Sequence, residues 1–178
     1  CDWSSDVCSS DLSQVSFLVL QDSGRDGFLL GNCLHFAQQN QETRSEMSDL
    51  IESDVLNAAS KLVACFGENR VADYFNCFSS DADFIFYTYP NSLPNRSAYE
   101  ALWKSWVKEN DFKILECKSS DQKVRVLGAN LALFTHTVET TLSTTSGTEK
   151  VLERESIIFQ KIDDSWLAIH EHLSPLQA

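Results

Sequence analysis

Positive charge is scarce in this chain. Over 178 residues, 14 lysines and arginines stand against 26 aspartates and glutamates, a formal net charge of −12. That balance leaves no basic stripe for nucleic acid and no basic amphipathic face for lipid. Long apolar runs are missing as well: Phe17 to Leu20 is followed by Gln21 and Asp22, too short for a signal-peptide core or a membrane span. None of the six cysteines is spaced as Cys-x-x-Cys. The chain is therefore expected to hold reduced thiols in a cytoplasmic setting, with neither a zinc knot nor a disulfide framework. Internal repeats and low-complexity linkers are absent too, which excludes a solenoid. What remains is an ordinary soluble domain, long enough to bury a core without staples.

The single methionine, Met47, opens a convincing helix start. The domain is expected to be 47–178, with translation of the natural gene beginning at Met47. Residues 1–12, "CDWSSDVCSSDL", resemble the translation of a short-read sequencing adapter such as a metagenomic assembly can carry, and are excluded from fold reasoning. Residues 13–46 are then an upstream segment, non-native or disordered; a genuine N-terminal extension is the alternative. From Met47 onward, 12 Lys and Arg face 19 Asp and Glu, a net charge of −7, and three cysteines remain: Cys65, Cys77 and Cys117.

Apolar spacing from Ser48 (Ile51, Val55, Ala59, Leu62, Phe66) predicts a helix ended by Gly67. Val71, Tyr74, Phe75 and Phe78 mark a second, short helix. "SSDAD" reads as a turn and "DFIFYTYP" as a strand closed by Pro90. Ser97 and Glu100 form a capping box for a third helix lined by Tyr99, Leu102, Trp103 and Trp106. Strands follow: "FKILECK", "KVRVLG", "NLALFTHTVETTL", "EKVLERESIIFQKI" and "SWLAIHEHL". "TTSGTE" and "DDS" supply hairpin turns. Helices followed by a meander give an α+β fold.

The stretches "YFNCFSSDADFIFY", "NRSAYEALWKSW" and "RESIIFQKIDDSWLAIHEHLS" resemble the nuclear transport factor 2 superfamily, in particular its SnoaL-like branch, to which ketosteroid isomerase is distantly related. The similarity covers residues 48–175. It implies a cone in which three N-terminal helices pack in the concavity of a curved, mostly antiparallel sheet. It also implies a pocket for a small-molecule ligand, homodimerisation through the sheet, and chemistry without metal or cofactor. The scaffold hosts isomerases, cyclases, hydrolases and pure assembly domains, so fold does not name the reaction. The leading expectation is a cofactor-independent proton-transfer enzyme; a non-catalytic binding or dimerisation domain is the rival.

Strand alternation places Trp166, Ala168, His170, His172 and Ser174 on one face of the last strand, and that face is expected to line the pocket. His172 and His170 become candidate acid/base groups, against a purely structural role or, with His136 and a carboxylate from Glu139 or Glu155, a metal set. Arg154 and Ser156 share a strand face and would meet the histidines, Arg154 steering an anion or pairing with Glu139 or Glu171. Tyr87 would donate to a developing oxyanion, and Tyr89, Tyr99 and Trp103 would form the pocket wall. Asp81 and Asp83 read as a turn, near where ketosteroid isomerase-like enzymes carry a carboxylate base. His172, Ser174 and Tyr99 also match part of the iota-class carbonic anhydrase pattern, a minor alternative whose consecutive histidines and Thr-bearing apolar motif on the first strand are replaced here by "IHEHLS" and "FIFYTYP".

Overall fold

The computed structural model describes the backbone of residues 27–176 and the side chains of residues 42–176. The adapter-like residues and the segment 13–26 lie outside the described residues. Elements run α1 (Gly27–Gly67), α2 (Val71–Phe75), β1 (Phe78–Phe86), α3 (Arg96–Asn110), β2 (Lys113–Gly128), β3 (Leu131–Thr144), β4 (Gly147–Ile162) and β5 (Ser165–Pro175). Gln41–Ala178 form one compact unit.

The helical spacing from Ile51 holds: Ile51, Val55, Ala59 and Leu62 are buried while Glu52, Asp54 and Lys61 face water. The helix itself reaches back past Ser48 to Gly27. Its end is set by a close approach, since a β-carbon at Gly67 would lie 3.2 Å from Cys117 Cβ on β2. Asn69, in the left-handed region at φ 53°, then uses its side chain as a strand substitute. It accepts from Ile114 N at 3.1 Å and donates to Ile114 O. One amide thereby fastens the loop after α1 to the start of β2.

Three local boundaries differ from the sequence reading. Phe78 is the first residue of β1, not the end of α2, which spans only five residues. The "SSDAD" segment lies inside β1, where pairing with β5 is irregular between Phe78 and Asp83, so Ser80 and Asp81 are exposed and Ser79 buried without ending the strand. Tyr87 and Tyr89 consequently fall in the turn after β1. The cap of α3 is Asn95, whose side chain accepts from Ala98 N at 2.9 Å. Asparagine caps as well as serine does and stands two residues earlier, so the helix starts there. Glu100 instead pairs with Arg96 at 3.4 Å.

The five strands order as β1-β5-β4-β3-β2, with β1 parallel to β5 and all other pairs antiparallel. The two predicted strands "FKILECK" and "KVRVLG" are one, β2, bulged between Ser120 and Lys123 where Asp121 takes φ 51°. The hairpin turns sit where expected, carried by Gly147 at φ 122° and Asp163 at φ 53°. One sheet face packs on the helices. Tyr99 of α3 meets Phe84 and Phe86 of β1 at ring-centroid distances of 4.8 and 4.9 Å, and Tyr74 of α2 meets Phe78 at 5.1 Å. Phe78, Phe84, Phe134 and Phe159 are fully buried, each such side chain contributing about 1.5–3 kcal/mol of burial free energy. Cys65 and Cys77 are buried and Cys117 half-buried, all three as free thiols. Burial pushes the Cys77 and Cys117 thiols up to about 11. Among the described residues no helix is long and apolar enough to cross a membrane.

Candidate active site

Which side chains of the last strand reach the interior is decided by one extra residue. Ile158 of β4 pairs with His170, but the next residue, Phe159, pairs with Ala168, leaving Ile169 of β5 without a partner. Ala168 points inward and is fully buried. Because the strand period is two, the bulge inverts every assignment beyond it. Glu171 and Leu173 therefore join the inner face, in register with the buried Phe84 and Phe86 of β1. His170 and His172 join the outer face with Asp83, Ile85, Ser156 and Arg154.

The inner face closes with α1, α2 and α3 around a cavity of about 290 Å³. Its walls are aromatic: Phe66, Tyr74, Phe86, Tyr99, Trp103, Trp106 and Phe112. Its floor is acidic, with Glu153 and Glu155 from β4 and Glu171 from β5, and Glu149 lies on the lining as well. Among the described residues, no lysine, arginine or histidine lines it. Glu171 is 3% exposed, and its Oε2 has no hydrogen-bond partner. Desolvation, and then the neighbouring Glu155 carboxyl, hold Glu171 well above the ordinary carboxylate range. Glu171 therefore keeps a proton that it can donate to Glu155, while the Tyr74 hydroxyl lies against it. Tyr74 and Tyr99 are joined at 3.3 Å between hydroxyls, and desolvation raises both phenols. At the rim, burial and then a hydrogen bond to Glu153 raise Tyr87 to about 12; burial likewise raises Glu153.

A polar chain runs from Glu155 back to the surface. Glu155 Oε2 meets His136 Nε2 inside the protein. His136 Nδ1 lies 2.6 Å from Ser119 Oγ, which in turn accepts from Gln122 Nε2 at 2.7 Å. Since carboxylate oxygens only accept, the Nε2–H tautomer satisfies every member: Gln122 donates to Ser119, Ser119 to His136 Nδ1, and His136 Nε2 to Glu155. The donors all point inward, so the chain runs from half-exposed Ser119 to the Glu155 carboxyl.

The expected histidine face is corrected by this geometry. His172 is exposed and outside the cavity. His170 Nδ1 pairs with Asp83 Oδ2 at 3.0 Å on the outer face. Arg154 is exposed beside them, paired with neither Glu139 nor Glu171; Glu139 takes Lys150 at 2.7 Å. Ser156 lies opposite His172, and Ser174 Oγ donates to Arg154 O at 3.4 Å. Tyr89 packs against the core without lining the cavity, whereas Tyr87, Tyr99 and Trp103 do line it. His136 is inward, held behind Glu155. Among the described residues, no three His, Cys, Asp or Glu side chains converge as a metal-ligand set. The sequence reading offers Glu155 only as a metal ligand and Glu171 only as a partner for Arg154, although Glu153, Glu155, Ile157 and Phe159 recur at period two on one face. That acidic continuation of an apolar stripe was the readable signal. Glu171 had none, because its orientation depends on the bulge.

Residues 55–178 match the profile of the SnoaL-like domain family. No curated protein matches the chain. Among solved structures, a scytalone dehydratase-like protein of Novosphingobium aromaticivorans superposes with TM-score 0.64 at 12% identity, covering 75% of this chain and 89% of that one. An NTF2-like protein of Rhodospirillum rubrum gives TM-score 0.61 at 14% identity, over 70% of this chain and 99% of the other. A calcium/calmodulin-dependent protein kinase II association domain-like protein of Xanthomonas campestris gives 0.58 at 17%, over 68% and 85%. At these identities the likeness establishes the fold.

Proposed function

The chain belongs to the SnoaL-like domain family, and from that premise we propose that it is a proton-transfer enzyme acting on a small molecule in the acid-floored cavity. The observation that carries this reading is the Glu155–Glu171 carboxyl pair, buried at the floor of an otherwise aromatic pocket. Two carboxyls that share a proton offer an acid and a base at one point, the arrangement general acid/base catalysis requires. In an isomerisation, the base member takes a C–H proton and the acid member returns one at another carbon. In a dehydration of the kind named for the Novosphingobium neighbour, the base takes the C–H proton, the electron pair forms the C=C bond, and the hydroxyl leaves as water with the acid's proton. Tyr74 and Tyr99 stand where phenolic O–H groups would support developing negative charge on a substrate oxygen. The chain His136–Ser119–Gln122 orients Glu155. No step is assigned to His172 or Arg154.

A substrate-independent probe tests the reading. In the ring opening of 5-nitrobenzisoxazole a base removes the ring C–H proton, the C–N bond becomes a nitrile, and the N–O bond breaks to a coloured phenolate. The full chain should accelerate it well beyond acetate buffer, and Glu155→Gln or Glu171→Gln should each lower the rate about a hundredfold. Wild-type rates in both variants would overturn the proposal.

We propose further that copies of the chain pair through the outer sheet face, where Ile85, Leu127 and Leu152 are exposed; the Xanthomonas neighbour is named as an association domain. Light scattering that reports a monomer at high micromolar concentration would refute this.

A further inference from the structure

The charge around the cavity selects among substrates, and this inference rests on the proposed site at Glu155 and Glu171. Among the described residues, four carboxyl-bearing residues reach the lining, and no cationic side chain does. A carboxylate or phosphate ligand would face like charge at short range with nothing to neutralise it. Glu171, 3% exposed, lines this space, and its buried Oε2 has no hydrogen-bond partner. Buried acceptors in folded proteins almost always have partners, so its complement is expected from a ligand N–H or O–H. The walls sharpen the choice. Phe66 and Trp103 lie 5.8 Å apart between centroids, and Trp103 and Trp106 lie 6.5 Å apart. Indole faces attract a cation by their quadrupole, and most strongly where water is excluded.

We propose that the cavity takes a small organic cation, a protonated amine with an apolar or aromatic body, its ammonium donating to Glu171 and its body lying among Phe66, Trp103 and Trp106. The groups facing Glu171 are Tyr74 from α2, Tyr99 from α3, Glu153 and Glu155 from β4, and His136 of β3 behind Glu155; β1 presents the apolar Phe84. Of these, only His136 can turn positive, and it is already engaged with Glu155. An arriving ammonium supplies the missing opposite charge, so Glu171 ionises on binding and its proton leaves to solvent. With Glu171 ionised against the cation, acid and base duties fall to Glu155 alone, which takes the C–H proton and returns that same proton at another carbon.

Three probes of similar size and different charge decide the matter: 2-phenylethylammonium, 2-phenylethanol and phenylacetate, titrated into the full chain at pH 7 by calorimetry in phosphate and in Tris. The ammonium should bind at least about tenfold tighter than either of the others, and its heat should differ between buffers, reporting proton release. Glu171→Gln should abolish the proton release, and Glu153→Gln, which leaves the pair intact, should weaken the ammonium selectively; His172→Gln should change neither. Equal or tighter binding of the alcohol or the carboxylate, or no binding by any probe at millimolar concentration, overturns the proposal. If benzisoxazole is turned over while the alcohol is preferred, the substrate class fails and the proton-transfer reading stands. If the ammonium binds with proton release while benzisoxazole is untouched, the class stands and the catalytic reading fails.

Discussion

The two faces of the β4–β5 hairpin carry nearly interleaved residues and opposite chemistry. On the inner face Glu153, Glu155 and Glu171 are buried among aromatics. On the outer face Arg154, His170 and His172 stand in or near water, His170 holding Asp83. Adjacent positions along one backbone thus differ in whether water screens them. Screening decides their worth: an exposed ion pair contributes little, whereas a buried carboxyl changes its proton affinity and must find partners. Residue type alone would have ranked the histidines first.

The sharpest test of this contrast is structural. Phe159→Ala on the inner face should cost about 3–5 kcal/mol in a urea titration, and Ile158→Ala beside it on the outer face only about 1 kcal/mol. Equal losses would mean that the faces are not distinct in packing. Next comes chemistry. Glu155→Gln should slow benzisoxazole opening about a hundredfold, and His172→Gln not at all; the reverse ranking would return the site to the outer face.

Acid titration separates the faces by sign. Glu171 keeps its proton in the folded state above 4.5, its ordinary value, so the folded protein binds more protons than the unfolded chain there. Its contribution is fully present below pH 4.5 and is lost as pH rises through the higher folded value. Glu139, held down by Lys150 on the outer face, acts oppositely and weakly: its contribution is present above 4.5 and lost as pH falls. Melting temperature should therefore decline as pH rises above 4.5, and Glu171→Gln should flatten that decline while Glu139→Gln leaves it. The smallest effect is expected at the outer pair: Asp83→Ala should alter stability by less than about 1 kcal/mol, checked by the same denaturant titration.

The sequence carried much of the fold, and the reason is periodicity. Ile51, Val55, Ala59 and Leu62 repeat at helical spacing, and the turns at Gly147 and Asp163 announce two hairpins. Boundaries failed where a competing local choice was nearly as good, as with Asn95 against Ser97 for the α3 cap. Part of the candidate wall, Tyr99 and Trp103, was legible as an aromatic stripe on a helix. Glu171 was not legible as part of the acidic floor, because strand parity was carried unbroken from Trp166 to Ser174. Pairing between β4 and β5 is a tertiary fact, and nothing local to Ile169 marks it as the residue without a partner.

That unpaired residue turns β5 into a strand with two readings. Straightened, the same sequence would offer His170 and His172 to the interior; bulged, it offers Glu171. Deleting Ile169 would fix the acid reading without the irregularity, since Ala168 and Glu171 would then keep the same face by plain alternation. For an evolving or engineered lineage, the polar lining of this pocket can therefore be rewritten from carboxyl to imidazole by shifting a frame of one residue, with every side chain of the strand left unchanged.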